Sequence, residues 1–428
     1  NPKTEMKPLF WNRIVASDES TTKGKCIWKS IKEPAIDTNE FERFFSKKIA
    51  DRKLKRTKSL RDDKHFAHIN GKKVVKLLET NRSRAIGIKM SSLNCQLEDI
   101  KNAVYNMDTS VVDMESLQSI YDIYPKEEEI QLIQEHMKKT PAVPLDKPEE
   151  FMNQLTKMKH FKERLECWLF QDKFSEIMYG IERSLACVSE CSNAITTNAE
   201  IATFLGLVLA YGNYMNGNTQ RGQADGFHLD VLLKLRGVKA KDSDMNLLHY
   251  TVKQYLKQYE RGHDKNKSES RLPSPVSLSN AAQVSFDKLK EELLKISKLL
   301  DETEAQAKNI LDECSPAQRN PFENKMRTFQ TTAKQKLSEE KEKMVKAEAA
   351  FLEAVDYFRW ESSEKKETPQ EFFGLWAKFI EDVKACVKLE KQQQQIAKKN
   401  FSKVEHLNQI REAATKFKKR RQSVDIII

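Results

Sequence analysis

Residues that make turns are scarce in this sequence. Its 428 residues include 12 glycines and 12 prolines, about half the number that average usage would give. Sandwiches and barrels of short strands need a turn every 8–12 residues or so, so these architectures are excluded. Because 39% of the residues are hydrophobic and 32% are charged, we predict an all-α chain of long amphipathic helices with wide solvated faces.

Long apolar runs and paired cysteines are also missing. No apolar run approaches the roughly 20 residues that span a bilayer. The sequence starts at Asn1 without a signal-peptide pattern and without Met, so we expect it to be part of a longer protein. Of the seven cysteines only Cys187 and Cys191 are close together, with no histidine pair nearby. We therefore expect free thiols in a reducing cytoplasm and no metal site.

Arrangements typical of catalysis do not occur. Asn70-Gly71-Lys72-Lys73 lacks the earlier glycine of a phosphate-binding loop, and Glu135-His136 does not continue into a zinc-binding motif. We therefore expect no enzyme and no cofactor. The net charge of +11 suggests a nucleic-acid binder, but 63 acidic residues are spread among the 74 basic ones. No single basic face results, and nucleic-acid binding is not favoured.

Glycines cluster only once, between residues 212 and 227, which contain Gly212, Gly217, Gly222 and Gly226. In a glycine-poor chain this indicates a backbone that turns sharply or approaches another group closely.

Aromatic residues are concentrated near the start of the chain. Trp11 and Trp28 lie in residues 1–30, which show no clear helical period, and a short helix is predicted over residues 36–50 with Phe41, Phe44 and Phe45. Large rings need a pocket to offset their desolvation. The residues alone leave open whether that pocket belongs to the same chain or to a partner.

The later part of the chain has a seven-residue apolar period. Three heptad-like helices with charged outer faces are predicted to form an elongated bundle or coiled coil. Their apolar positions include Phe286, Leu289, Leu293, Ile296, Leu300, Leu337, Met344, Ala347, Phe351, Ala354, Phe358, Phe372, Trp376, Phe379, Val383 and Val387.

Two basic segments stand apart from these helices. Residues 51–64 are charge-dense and are predicted to be a flexible tether. The C-terminal cluster is expected to be disordered and to attract an acidic protein surface, anionic lipid or a microtubule. It consists of Lys416, Lys418, Lys419, Arg420 and Arg421.

Four motifs together resemble the formin homology-2 domain of actin-assembly factors, and they occur in that family's order. They are Lys7-Pro8-Leu9-Phe10-Trp11, Cys26-Ile27-Trp28, Gly212-Asn213-Tyr214-Met215-Asn216 and Leu235-Arg236-Gly237-Val238-Lys239. The resemblance covers about residues 6–400. It implies an elongated all-α fold in which two chains form a head-to-tail ring, each lasso gripping the other chain's post.

The resemblance also implies an order of regions. These are a lasso (1–35), a short helix and flexible linker (36–70), a knob (71–147), a long helical stretch (148–211), a post with the glycine-rich motif (212–260), a polar loop (261–280), coiled-coil and post-packing helices (281–400) and a basic tail (401–428).

Function and site residues follow from the same resemblance. The family nucleates actin filaments and stays bound to the growing barbed end as a homodimer. Its knob isoleucine corresponds to Ile88, whose alternative role is core packing, and its post lysine corresponds to Lys239, with Lys241 close by. Trp11, supported by Trp28, is expected to plug pockets on the partner's post. The post residues implied are Gly212, Asn213, Tyr214, Met215, Asn216 and Gly226.

Further partners are implied for the tail. The five basic residues named above are expected to bind Spire-type nucleators and the protein's own N-terminal region, and to add affinity for microtubules. Profilin-bound actin is recruited in this family through a proline-rich segment that the 428 residues do not contain, so we expect no benefit from profilin. The location implied is the cytoplasm and cytoskeleton. The alternative is a coiled-coil scaffold whose basic tail binds microtubules or membranes.

Overall fold

The computed structural model is helical in most of the residues it describes. The described residues contain thirteen α-helices and one pair of two-residue strands, so the all-α prediction is confirmed. The tether predicted over 51–64 lies outside them. The structure describes residues 6–11, 13–14, 26–45, 77–93, 95–110, 112–140, 142–241, 243–262, 272–362 and 367–424, with residues 259–262, 316–318 and 408–424 described for the backbone only.

The elements follow one another along the chain with these bounds. The helices are α1 (Thr38–Phe45), α2 (Thr80–Ser92), α3 (Leu97–Asn106), α4 (Met114–Ile123), α5 (Glu127–Lys139), α6 (Lys147–Thr156), α7 (Phe161–Thr196), α8 (Ala199–Met215), α9 (Leu247–Gly262), α10 (Pro275–Ala282), α11 (Phe286–Glu313), α12 (Pro316–Tyr357) and α13 (Pro369–Val424). The strands are β1 (Arg13–Ile14) and β2 (Gly226–Phe227), and single turns of 3-10 helix span Ile27–Lys29, Leu229–Leu233 and Leu235–Gly237.

Local capping explains several of these boundaries. The Asp113 carboxylate accepts a hydrogen bond from the Ser116 N–H at 2.7 Å and starts α4. The Asn198 side chain accepts one from the Ile201 N–H at 3.0 Å and starts α8. Each cap satisfies a backbone donor that has no partner within the helix. The helical stretch predicted over 148–211 consists of three helices, α6, α7 and α8.

The chain divides into two compact units. The first is drawn from residues 1–52, 186–285 and 346–428, and the second from residues 53–185 and 286–345. In the first unit α13 packs along α9 and α10, and α8 packs on α9. Its core includes the fully buried ring of Trp376, which contacts Phe358 and Phe379.

In the second unit the short helices pack together around one apolar cluster. Helix α6 contacts α2 and α5, and α4 contacts α2. The buried members of the cluster are Leu78, Ile86, Ile123, Ile133, Leu145 and Met152. Helices α3 and α4 and the long helices α7, α11 and α12 supply further buried side chains of this unit.

Burial confirms fifteen of the sixteen apolar positions predicted from the heptad period, and Leu289 on α11 is only half-buried. The expectation of a disordered C-terminus is wrong, since α13 continues as a helix to Val424. Residues 391–424 contain neither glycine nor proline and are rich in Lys, Gln, Ala and Arg, which are good helix formers. Their local preference therefore carries the helix into the basic cluster.

Within the described part of the chain, no single helix has the length and hydropathy needed to cross a membrane. Only α7 and α8 taken together, across a bend of 52°, meet that test.

Candidate functional site

The start of the chain is fixed to the glycine-rich segment by a short strand pair in the first unit. We call residues 6–14 and 26–35 the lasso segment and residues 212–227 the post segment. Strand β1 runs antiparallel to β2, with Arg13 opposite Phe227 and Ile14 opposite Gly226. The Asp225 N–H also donates to the Ile14 carbonyl at 2.9 Å. Two-residue strands carry no sequence period, so this pairing could not be predicted.

Trp11 is the first anchor of the lasso segment. Its ring is only 4% exposed and lies directly against the Cα of Gly212, where any Cβ would overlap it. The indole Nε1–H donates to the Arg221 carbonyl at 2.9 Å, and the ring stacks on Phe227 at 5.3 Å with an interplanar angle of 11°. Gly212 lies inside α8, so the glycine is required by this close approach and not by a turn.

Trp28 is the second anchor and uses another glycine of the post segment. A Cβ at Gly226 would come within 2.6 Å of the Trp28 Cδ2. The Trp28 ring also packs on Phe227, with centroids 4.8 Å apart and planes tilted by 57°. Phe227, which is fully buried, therefore contacts both indoles. Burying two indoles against one apolar ring stabilises this contact mainly by desolvation.

Two asparagines hold the backbone around these rings. The buried Asn216 side chain accepts from the Leu9 N–H at 3.1 Å and donates to the Leu9 carbonyl at 2.9 Å. Asn213 makes the same reciprocal pair with the backbone of Ala224, both bonds at 2.8 Å, and donates to the Glu33 carboxylate at 2.6 Å. Removing either amide would leave buried backbone groups without partners, which costs about 1–3 kcal/mol per group.

Helix α1 adds an aromatic contact that the sequence did not assign to any partner. Phe41 is fully buried and stacks on Tyr211 at 4.7 Å with an interplanar angle of 13°. The Tyr214 hydroxyl donates to the Glu42 carboxylate at 2.6 Å. Burial and this hydrogen bond raise the pKa of Tyr214 to about 12, because both disfavour the phenolate. Burial raises the pKa of Tyr250 as well.

Ile88 occupies a solvated position on α2 in the second unit. Its side chain is 65% exposed, whereas Ile86, two residues earlier, is fully buried in the apolar cluster. The neighbouring Lys89 pairs with Asp122 of α4 at 2.7 Å. Arg82 anchors the same helix by a 2.9 Å ion pair with Glu129. The second isoleucine of the motif is therefore the one presented to solvent, and core packing does not explain it.

Lys239 lies in a tight loop of the first unit. It pairs with Asn246 in an isolated antiparallel bridge, and the Ala240 N–H donates to the Met245 carbonyl at 2.8 Å. The Lys239 carbonyl accepts from the Lys7 ammonium, so the loop also touches the lasso segment. The side chains of both Lys239 and Lys241 are exposed, and the structure does not distinguish between them.

The remaining predicted residues are Met215 and the five basic residues of the tail. Met215 is buried at the end of α8. The five basic tail residues belong to α13, but their side chains lie outside the described residues. Within the described ranges no group of three or more His, Cys, Asp or Glu side chains is arranged to hold a metal ion.

Fold, motif order and these contacts together define one class of protein. The sequence model of the Formin Homology 2 Domain matches residues 1–384, which is most of the chain. The chain belongs to the formin homology 2 family.

The chain is similar to several individual formins. The chain is 38% identical to human Formin-2 over 390 residues, which is 90% of this chain and 22% of that protein. It is 36% identical to human Formin-1 over 422 residues, 97% of this chain and 29% of that protein. It is 30% identical to Protein cappuccino of Drosophila melanogaster over 442 aligned positions, 91% of this chain and 40% of that protein. The four motifs predicted a formin homology-2 domain, and this is confirmed.

The chain spans well under half the length of these relatives. Properties that belong to a whole formin therefore do not transfer with the similarity.

Proposed function

We propose that this chain nucleates actin filaments and remains at their barbed ends during elongation, acting as a homodimer. The observation that carries the proposal is the exposed Ile88 on α2 of a family member. An aliphatic side chain this exposed contributes nothing to its own core and supplies desolvation energy when a partner covers it. The protein acts by holding actin subunits in register, and no bond is made or broken.

The dimer follows from the lasso and post segments. In the single chain the two indoles fill sites on the same chain's post segment. In the dimer we infer that the same contacts form between chains, each lasso segment lying on its partner's post segment. Buried aromatic anchors in preformed sites are where interface energy concentrates. Replacing Trp11 by Ala is expected to cost about 3–5 kcal/mol of that contact.

Ile88 and Lys239 have complementary roles in the proposal. Ile88 is inferred to enter an apolar groove of one actin subunit, and Lys239 to face an acidic surface of another. A lysine suits that second role because a charged contact at a solvated rim adds orientation and association rate more than affinity. With two equivalent sets of contacts in the dimer, one set can hold the filament while the other receives a new subunit.

Partners beyond actin are proposed from family resemblance alone. Residues 416–421 are inferred to contact a Spire-type nucleator and the protein's own N-terminal region, with added affinity for microtubules. Profilin would act through a proline-rich segment that is not among these 428 residues. The proposed location is the cytoskeleton of the cytoplasm.

The test is bulk actin assembly without seeds, comparing the wild-type chain with Ile88→Ala and Leu132→Ala at equal dimer content. Leu132 is about half exposed and lies on α5 of the same unit, so it is a matched control for losing an exposed aliphatic side chain. We expect the wild type and Leu132→Ala to abolish the lag and Ile88→Ala to restore it.

Two other results would change the proposal. If the wild type leaves the lag unchanged, actin nucleation is wrong and the scaffold alternative gains support. If all three proteins abolish the lag equally, nucleation stands but the knob contact is not Ile88. Sedimentation of each variant confirms that it remains a dimer, so a folding or assembly defect is not mistaken for a lost actin contact.

A further inference from the structure

The C-terminal part of α13 has apolar side chains that nothing in its unit covers. The buried positions of this helix end with Glu390. Between residues 396 and 407 the large apolar side chains are all more than half exposed, and Phe401, at 72%, is the most exposed large apolar side chain among the described residues. The set is Ile396, Phe401, Val404 and Leu407.

These side chains share one face of the helix. An α-helix turns by about 100° per residue, so the four positions fall within a sector of about 140°. On the same count Lys398, Lys399 and Lys403 lie in the remaining sector, and all three are exposed. The segment is thus amphipathic, with an apolar face and a basic face. A core-facing helix has the same pattern, but here the described part of the chain leaves the apolar face exposed.

The segment carries a large net positive charge. Residues 396–424 contain nine Lys and Arg against two acidic residues, a net charge of 9 − 2 = +7, and the helix is continuous over all of them. An apolar stripe combined with a dense positive charge is the pattern of a helix that lies in the plane of a lipid interface.

We propose that residues 396–424 of α13 form a binding surface for anionic lipid membranes. The apolar face enters the boundary between headgroups and acyl chains, while the lysines stay at the level of the lipid phosphates. Long lysine side chains can do this because their methylene stems are apolar and their charged ends reach water. The first contact is electrostatic, since a positive segment is attracted to anionic headgroups within a Debye length.

A second copy of the helix is a poorer occupant of the same face. Pairing two such segments would bring two net charges of +7 together, and like charges side by side oppose association. An anionic membrane can cover the apolar face with its acyl chains and can pair its phosphates with the lysines. The inference does not depend on actin binding, because neither Ile88 nor Lys239 belongs to this segment.

The experiment is vesicle flotation of the full 428-residue chain. One set of vesicles is phosphatidylcholine alone and the other is phosphatidylcholine mixed with phosphatidylserine. The wild type is compared with Phe401→Ser/Leu407→Ser, with Lys398→Gln/Lys399→Gln/Lys403→Gln, and with the control Val276→Ser/Val345→Ser. The control side chains are nearly as exposed as Phe401 but lie on α10 and α12.

We expect the wild type and the control to float with the mixed vesicles and not with the neutral ones. Both test variants should bind the mixed vesicles about tenfold less, since the apolar face and the charge each contribute a decade or more, and added salt should release the wild type. Equal binding to neutral vesicles, or no loss in the Phe401→Ser/Leu407→Ser variant, would overturn the inference.

The oligomeric state of the same proteins is measured by sedimentation. If Phe401→Ser/Leu407→Ser lowers it and the wild type does not float, the occupant is a second copy and the lipid proposal is wrong. Actin assembly run on the same preparations keeps the two proposals separate, because loss of vesicle binding alone leaves nucleation unchanged.

Discussion

At the scale of single residues, the post segment is shaped by the absence of a side chain. Gly212 is helical, and its missing Cβ makes room for the Trp11 ring. Gly226 does the same for Trp28. Helix propensity would favour alanine at position 212 by about 1 kcal/mol, so this glycine is explained by packing against the ring and not by backbone conformation.

Gly212→Ala is predicted to loosen the lasso segment. The new Cβ cannot fit without moving the Trp11 ring, and overpacking of this kind costs about 1–3 kcal/mol. We expect a lower free energy of unfolding in denaturant titration and a red shift of tryptophan emission as Trp11 becomes hydrated.

Gly374→Ala is the control for that substitution. Gly374 lies inside α13, and nothing would come within 4 Å of an added Cβ, so the change should stabilise the protein slightly by helix propensity. Equal effects of the two substitutions would show that the Trp11 contact does not constrain position 212.

The importance of the glycine cluster could be predicted from the sequence, but the hydrogen bonds around it could not. Clustering of glycine in a glycine-poor chain predicted a sharp turn or a close approach, and the structure shows close approaches at Gly212 and Gly226. The reciprocal pair between Asn216 and the backbone of Leu9 joins residues 207 positions apart. No local pattern encodes such a contact, because it depends on how separate elements pack.

At the scale of elements, α1 is held by a group of tyrosines. Phe41 contacts Tyr211, Tyr214 and Tyr250. The sequence predicted this helix from its phenylalanines, but the tyrosines belong to α8 and α9, so their meeting is a property of the fold. Heptad helices were predictable because their period is local. The extension of α13 follows from helix propensity, which outweighs the charge density that predicted disorder.

The docking of α1 is predicted to weaken in strong alkali. The pKa of Tyr214 is about 12 in the folded protein and about 10 in an unfolded chain. Neutral Tyr214 therefore contributes stability that is fully present below about pH 10 and is lost as the pH rises toward 12. The measurement is the free energy of unfolding across this interval.

Tyr214→Phe is the matched variant, since it keeps the ring and removes the titrating hydroxyl. It should lose less stability between pH 10 and 12 than the wild type does, with the remaining loss due to other groups such as Tyr250, whose pKa is raised in the same direction. Identical slopes for the two proteins would contradict this account.

At the scale of the whole molecule, the main question is which chain supplies each lasso segment. Every contact between lasso and post segments described here could form within one chain or between two. The two arrangements give different results when one chain carries an altered lasso segment and the other chain carries an altered post segment.

Mixing a Trp11→Ala chain with a Gly212→Ala chain separates the two arrangements. If the contact forms between chains, the mixture contains one intact interface, from the normal lasso of one chain to the normal post of the other. We expect dimer content, measured by light scattering, to rise on mixing above that of either variant alone. If each lasso stays on its own post, every contact remains defective and mixing changes nothing.

The Asn216 amide has a consequence for mixed assemblies. It binds the N–H and carbonyl of residue 9 and makes no use of that residue's side chain. Since every residue other than proline offers the same two groups, this part of the contact cannot tell one formin's lasso from another's. Discrimination rests instead on the side-chain contacts, which are the two indoles with their glycines and Phe227, and Glu33 with Asn213. Two formins that keep these residues would therefore be able to exchange subunits.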